Sequence, residues 1–348
     1  LNLAPELISA TSSFFELGGH SILASKLMHR IKGVFDVTIP LANIFKGPTL
    51  KNLASKIEES VHSGSKYKDN VIWLQEGNSN HETIFFVHDG SGKVEGYVAL
   101  VKEMHQYNCI GLKFEEEKYD PETLKIEEIA QDYVEKIKAI QSKGPYYIAG
   151  WSIGGVITFE IAKQLEAIGE QVDTFFIDTY FNEEADEVSE SISVDGEIAL
   201  IKTLFESSFM DSYNFIDVRS LWDHYLQTPE FAQIPHQKLV DMIPPELKVM
   251  IPEIQNHTKK ELIKITNTLR MLRMAADNYQ MNCFLKGSSI FIKASASNTQ
   301  TIILQKHIDK LEIQIVQGDH FSIMKQPTVK QLSEFIMDRF KYTLIPNE

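Results

Sequence analysis

Tyr146-Tyr147-Ile148-Ala149-Gly150-Trp151-Ser152-Ile153-Gly154-Gly155 points to the architecture of the whole chain. Its apolar run follows Gly144-Pro145 and reads as a buried strand. Behind the glycines, Val156, Phe159, Ile161, Ala162 and Leu165 recur at helical spacing over 156–168. Strand, sharp turn and helix around Gly-x-Ser-x-Gly make the setting of a nucleophile elbow, which a chance Gly-Ser-Gly turn would lack. Ser152 then sits at the tip of a strained turn with its hydroxyl exposed. Gly150 and Gly154, without a Cβ, let strand and helix approach around it. The helix N-terminus favours developing negative charge there. The Ile153 N–H is placed to donate to an oxyanion.

With 348 residues, 43% of them hydrophobic, the chain is expected to hold one large domain and a small one. Lys+Arg 34 against Asp+Glu 48 gives a net charge of −14. That argues against nucleic acid or an anionic membrane as partner. The charge is uneven: residues 1–60 carry +1 and the remainder −15. Cys109 and Cys283 show no metal-ligand spacing and suggest no disulfide framework, so a reducing, cytoplasmic setting is expected. No apolar run reaches the ~18–20 residues of a membrane span. No secretory signal opens the chain. It begins without methionine, almost inside a motif, and reads as a piece of a longer cytoplasmic protein.

The second strong motif is Phe14-Phe15-Glu16-Leu17-Gly18-Gly19-His20-Ser21-Ile22. Helical periodicity starts right after it, at Ile22, Leu23, Leu27, Met28, Ile31 and Val34, so Ser21 caps or opens a helix. A turn near Ile39-Pro40-Leu41 and a helix from about Leu50 to Ser60 complete a small bundle. This segment resembles a peptidyl carrier domain of a non-ribosomal peptide synthetase. The resemblance implies that Ser21 carries covalent 4′-phosphopantetheine. A phosphodiester at a helix N-terminus gains from free N–H groups and the helix dipole; a plain N-cap is the alternative role. Ser12-Ser13 stands where that family often has an aspartate. Val61 to Asn70, with Ser63-Gly64-Ser65, is the expected linker, spanning roughly 17 Å root-mean-square as a flexible coil.

From residue 71 the pattern is α/β, with strands at Val71–Leu74, Thr83–Val87 and Asn108–Phe114 and an amphipathic helix over Thr123–Ser142. Thr83–Val87 leads into His88-Asp89-Gly90-Ser91-Gly92. A glycine-rich loop after a strand is where the second oxyanion donor is expected, from the N–H of Asp89 or Gly90. His88 precedes the serine in chain order and is read as structural. The strand Val172–Asp178 ends in Asp178, where α/β sheets place catalytic groups. Residues 181 to about 285 break the rhythm with an acidic opening at Glu183–Glu187. Helical stretches follow at Ile198–Phe209, Ser220–Leu226, Gln237–Met242 and about Ile254–Met281. They read as a lid, or else as a separate helical domain.

Strands resume at Ser289–Lys293 and Leu311–Val316. After the first of these, Ala294-Ser295-Ala296-Ser297-Asn298 offers no carboxylate, which strengthens Asp178 as the acid. Among eleven histidines, His320 alone follows the last strand and completes the order Ser, Asp, His.

Residues 71–348 resemble the type I thioesterase domain that ends peptide and polyketide synthetases. The resemblance is carried by Gly150-Trp151-Ser152-Ile153-Gly154-Gly155, Phe176-Ile177-Asp178-Thr179-Tyr180 and Gly318-Asp319-His320. Asp89 stands where that family commonly has proline. The expected architecture is a small all-α four-helix carrier bundle (1–60), a linker (61–70) and an α/β-hydrolase domain with a helical lid insertion (71–348). The resemblance implies a triad of Ser152, Asp178 and His320, an oxyanion hole at Ile153 and Asp89 or Gly90, and no metal. It implies release of a peptidyl thioester from Ser21 by hydrolysis or macrocyclisation. The expected partners are a phosphopantetheinyl transferase and upstream condensation and adenylation domains on the same longer chain. An editing thioesterase, a stand-alone serine esterase or lipase and a catalytically dead tethering module are the other readings.

Overall fold

The computed structural model describes residues 8–35, 37, 39, 42–63, 70–77, 82–181, 218–243, 248, 254–299 and 301–341. The helix expected over 198–209 and most of the expected linker lie outside them.

The N-terminal region forms α1 (Ser21–Phe35), α2 (Ala42–Lys46) and α3 (Leu50–Ser63). These are three helices among the described residues of the expected four-helix bundle. α3 runs three residues into the stretch expected as linker. Ile31, Val37, Ile39 and Leu53 close one small core between the helices.

The larger domain opens with β1 (Val71–Gln75), β2 (Thr83–Val87), α4 (Val98–Glu103), β3 (Asn108–Leu112) and α5 (Ile126–Ile140). Then come β4 (Tyr146–Trp151), α6 (Ile153–Ala167) and β5 (Val172–Ile177). After the insertion follow β6, β7 and the last two helices, given below. The seven-stranded sheet has the order β1-β3-β2-β4-β5-β6-β7. Only β1 runs antiparallel to its neighbour; the other pairs are parallel. β4 and β5 are buried along their whole length, which is why they read as continuous apolar runs and not as alternation.

Within the insertion lie α7 (Val218–Tyr225), α8 (Pro229–Gln233), α9 (His236–Met242) and α10 (Lys259–Asp277). They share a separate apolar core that includes Leu221, Trp222, Leu239, Val240, Ile263 and Leu269. Farther along, α10 turns Met271, Leu272 and Ala275 into the core under the sheet, so the cap is anchored at that end. Apolar spacing predicts this helix from Ile254, but it starts at Lys259. Thr258 and Glu261 form a capping box: the Thr258 N–H donates to Glu261 Oε2 at 2.7 Å, and the Glu261 N–H to Thr258 Oγ1 at 3.3 Å.

The chain then forms β6 (Leu285–Ala294), α11 (Ile302–His307), β7 (Ile308–Val316) and α12 (Thr328–Lys341). β6 begins earlier than its β-branched residues suggest. The Lys286 and Gly287 N–H groups donate to the Glu166 carboxylate, and the Ser288 N–H donates to Asp173. Carboxylates from neighbouring elements thus hold a glycine- and serine-rich segment of poor strand propensity in extended form. α5 and α6 cover one face of the sheet, and α4 and α12 the other. No described helix is long and apolar enough to cross a membrane.

Candidate active site

Ser152 sits between β4 and α6 with φ 57° and ψ −129°, a left-handed conformation rare for a residue with a Cβ. The turn is held from three sides. The Ser152 N–H donates to the Ile177 carbonyl at 3.0 Å, and the Gly155 N–H donates back to the Ser152 carbonyl at 3.0 Å. A Cβ on Gly154 would lie 2.5 Å from the His88 carbonyl, so only glycine lets α6 start here. Ile153 is the first residue of α6, and its N–H therefore has no intrahelical partner.

The third support was not legible in the sequence. Tyr97 is fully buried; its hydroxyl donates to the Val87 carbonyl at 2.7 Å and accepts the Trp151 N–H at 2.7 Å. It ties the ends of β2 and β4 together one residue before the serine. Phenylalanine at position 97 would leave a buried N–H and a buried carbonyl unpaired, at about 1–3 kcal/mol each. We expect Tyr97→Phe to lower the unfolding free energy by roughly 2–4 kcal/mol and kcat more than KM. Denaturant titration and steady-state kinetics check this, and unchanged values in both would contradict it.

Asp178 follows β5, is fully buried and also has a left-handed backbone, φ 42°. Its N–H donates to the Ile292 carbonyl at 2.8 Å. Oδ1 accepts the Ala294 N–H at 3.0 Å and the Thr299 hydroxyl at 3.1 Å. Oδ2 faces His320 Nδ1 at 2.8 Å. The loop after β6, which lacks a carboxylate of its own, thus supplies donors to the one on β5. Thr299 escaped the sequence reading because a hydroxyl-rich loop carries no signal of what it faces. Burial alone would raise the Asp178 pKa, but the hydrogen bonds from His320 and Ala294 outweigh it and hold the carboxyl below the usual range.

His320 lies in the turn after β7, half-buried. Gly318, at φ +129°, reverses the chain. Asp319 Oδ1 accepts the N–H groups of Phe321 and Ser322, both at 2.9 Å, which fixes the turn. Trp151 Nε1 donates to the His320 carbonyl at 3.1 Å, and the two rings lie 5.4 Å apart. Trp151, the residue before Ser152, therefore ties the serine turn to the histidine turn. Ser152, Asp178 and His320 all stand at the carboxyl ends of β4, β5 and β7.

The loop after β2 is closed on itself. The Asp89 N–H donates to the Lys93 carbonyl at 3.1 Å, and the Gly92 N–H to the Asp89 carbonyl at 2.9 Å. His88 is fully buried and its Nδ1–H donates to the same carbonyl at 2.8 Å, which fixes the tautomer; burial lowers its pKa to about 4, so it is neutral. Of the two expected oxyanion donors, Asp89 has its N–H engaged within the loop. Its side chain accepts from the Ser91 N–H at 2.7 Å and the Ser91 hydroxyl at 2.5 Å. Burial pushes its pKa up to about 6, with the Ser91 bonds opposing.

The folded state therefore holds a proton on Asp89 to higher pH than the unfolded chain. Stability from this group is present below about pH 4 and is lost as pH rises through about 6, by up to ~3 kcal/mol. Asp89→Asn should flatten the dependence of Tm on pH between about 4 and 7. An unchanged slope would contradict this.

Strand order, strained serine and buried acid define an α/β-hydrolase. Residues 82–233 match the thioesterase domain family. Residues 1–57 match the family of phosphopantetheine attachment sites. The two matches stand in tandem, a carrier-type domain followed by a thioesterase domain. It is 40% identical over 180 residues to atromentin synthetase nps3 of Serpula lacrymans, covering 49% of this chain and 18% of that one. It is 34% identical over 174 residues to a dimodular nonribosomal peptide synthase of Bacillus subtilis, covering 49% and 7%. The chain spans less than a fifth of the length of these relatives.

Among solved structures, a holo four-domain nonribosomal peptide synthetase bound to AMP and glycine aligns with TM-score 0.58 at 22% identity, over 97% of this chain and 25% of that one. The Vlm2 thioesterase domain with a bound dodecadepsipeptide aligns with TM-score 0.52 at 14% identity, over 78% and 97%. Both likenesses are of fold.

The N-terminal motif fits an attached phosphodiester. Gly18 has φ +89°, and a Cβ on Gly19 would overlap the Phe14 ring. The backbone is thus drawn tight ahead of Ser21, which opens α1, where the first N–H groups have no intrahelical partner.

Proposed function

We propose that this chain ends an assembly line: its thioesterase domain takes an acyl or peptidyl chain from its own carrier domain onto Ser152 and releases it. The observation that supports this most is the Asp178–His320 contact beside a strained Ser152, in a chain that opens with a carrier domain. Ser21 is the attachment residue. The group held there supplies a terminal thiol on which the acyl chain is carried as a thioester.

Ser152 Oγ attacks the thioester carbonyl while His320 Nε2 takes its proton. Asp178 Oδ2 holds the proton on Nδ1 and stabilises the imidazolium. The N–H groups of Ile153 and Gly90 stabilise the oxyanion, each worth ~3–4 kcal/mol in good geometry. Gly90 is assigned because Asp89 spends its N–H on Lys93. His320 then protonates the leaving sulfur. Water, or a nucleophile within the acyl chain, attacks the Ser152 ester with His320 again as base. The first outcome gives an acid and the second a ring.

The dimodular peptide synthase among the relatives supports upstream condensation and adenylation domains on a longer chain, and a pantetheinyl transferase as a partner. Cys109 and Cys283 are both free thiols, in keeping with a reducing cytoplasm.

Ser21→Ala tests the division of labour. The variant should gain no mass from a pantetheinyl transferase and should still hydrolyse a soluble thioester at the wild-type rate. Loss of both activities would contradict two separable sites.

A further inference from the structure

The carrier's second apolar cluster is completed from outside the carrier. Ala24 and Ile44 are 0% and 2% exposed. Their cover comes from Phe14, Phe15 and Phe45, and also from Ile72 of β1 and Val98 of α4. A ladder of rings runs into this contact. Phe14 meets Phe15 edge-on at 5.3 Å, Phe15 stacks on Phe45 at 5.1 Å, and Lys102 of α4 places its ammonium 4.1 Å from the Phe45 centroid. The paired phenylalanines that precede the attachment serine therefore link its loop to the thioesterase surface.

A second contact reaches the cap. Lys26 Nζ lies 2.6 Å from Glu261 Oε1 in the first turn of α10. Burial works against the Glu261 charge, but Lys26 and the Thr258 capping groups hold its pKa down to about 2. α1 also lies beside the turn at Glu95–Tyr97. In that turn Gly96 faces the catalytic end of the sheet: a Cβ there would stand 3.0 Å from the Trp151 ring and 3.1 Å from Asp89 Oδ2. One turn of backbone thus separates the arm-bearing helix from the residues around Ser152.

We infer that this is the surface from which the carrier delivers its acyl chain: α1 and α2 of this chain's own carrier seat on Ile72, Val98 and Lys102, and Lys26 clamps them to the cap through Glu261. The inference rests on the carrier and thioesterase reading above. Glu261 also caps α10, so one carboxylate is shared between cap folding and carrier docking. A tethered carrier needs only weak contacts, because its effective concentration is about millimolar. A half-exposed ion pair and one cation–π contact suit a domain that must also visit other partners.

The test uses the full chain, loaded at Ser21 and quantified by intact mass, with single-turnover loss of the acyl group as readout. Each rate is divided by that variant's rate on a soluble thioester, which removes any effect on cap stability. Lys26→Glu should slow release about 5-fold, and Lys102→Glu about 3-fold. Combining Lys26→Glu with Glu261→Lys should restore most of the loss. Wild-type rates in both single variants, or a double variant no faster than Lys26→Glu, would overturn the docking surface while leaving the enzyme reading intact. A loaded wild-type chain that never passes its acyl group on would overturn the functional reading, and this inference with it.

Discussion

Ser152→Ala should all but stop release while arm attachment at Ser21 proceeds normally. The expected fall in kcat is about 10⁴- to 10⁶-fold, the range seen when a triad nucleophile is removed and only oxyanion binding remains. Alanine can occupy the turn, because the N–H bond to Ile177 and the carbonyl bond to Gly155 use only the backbone. Relief of the side chain from its left-handed site is not expected, since alanine also has a Cβ, so stability should change little. The acyl group should stay on the carrier, visible as a persistent mass. Turnover at more than about one hundredth of the wild-type rate would remove Ser152 as nucleophile.

Asp178→Asn has the next largest expected effect, about 10⁴-fold in kcat. The direction follows from which oxygen does what. Oδ1 accepts two donors, the Ala294 N–H and the Thr299 hydroxyl. An asparagine must therefore keep its carbonyl oxygen there and turn its NH₂ toward His320. Nδ1 becomes an acceptor, Nε2 carries the proton, and the imidazole can no longer take a proton from Ser152. KM should move far less than kcat. The depressed Asp178 pKa also contributes stability above the unfolded value near 4, lost as pH falls through the lower folded value. The asparagine variant should lack this part of the acid transition. A variant with near wild-type kcat would show that Asp178 does not orient His320.

Much of this site was readable because α/β topology converts chain order into position. A residue just past a parallel strand lies at the carboxyl edge of the sheet, so Ser152, Asp178 and His320 could be placed near one another from strand order alone. The supports could not be placed. Tyr97 is one of twelve tyrosines, and its role depends on β2 lying beside β4 and on Trp151 reaching it from 54 positions along the chain. Thr299 matters only because β6 lies next to β5. The engagement of the Asp89 N–H by Lys93, on which the proposal of Gly90 as donor rests, depends on a six-residue loop folding back on itself, which composition does not encode. Helix limits failed where a local cap competed with apolar spacing: Thr258 and Glu261 are a capping box in plain view, but Ile254 continued the pattern past them.

On the proposed mechanism the acyl chain passes from Ser21 to Ser152 before it leaves. Rapid-quench peptide mapping of the loaded full chain follows that transfer step by step. The acyl mass should appear first on the peptide containing Ser21, then transiently on the peptide containing Ser152, and then as free product. Product formed while the Ser152 peptide never carries the acyl group, in a chain whose Ser152→Ala variant is equally fast, would contradict it.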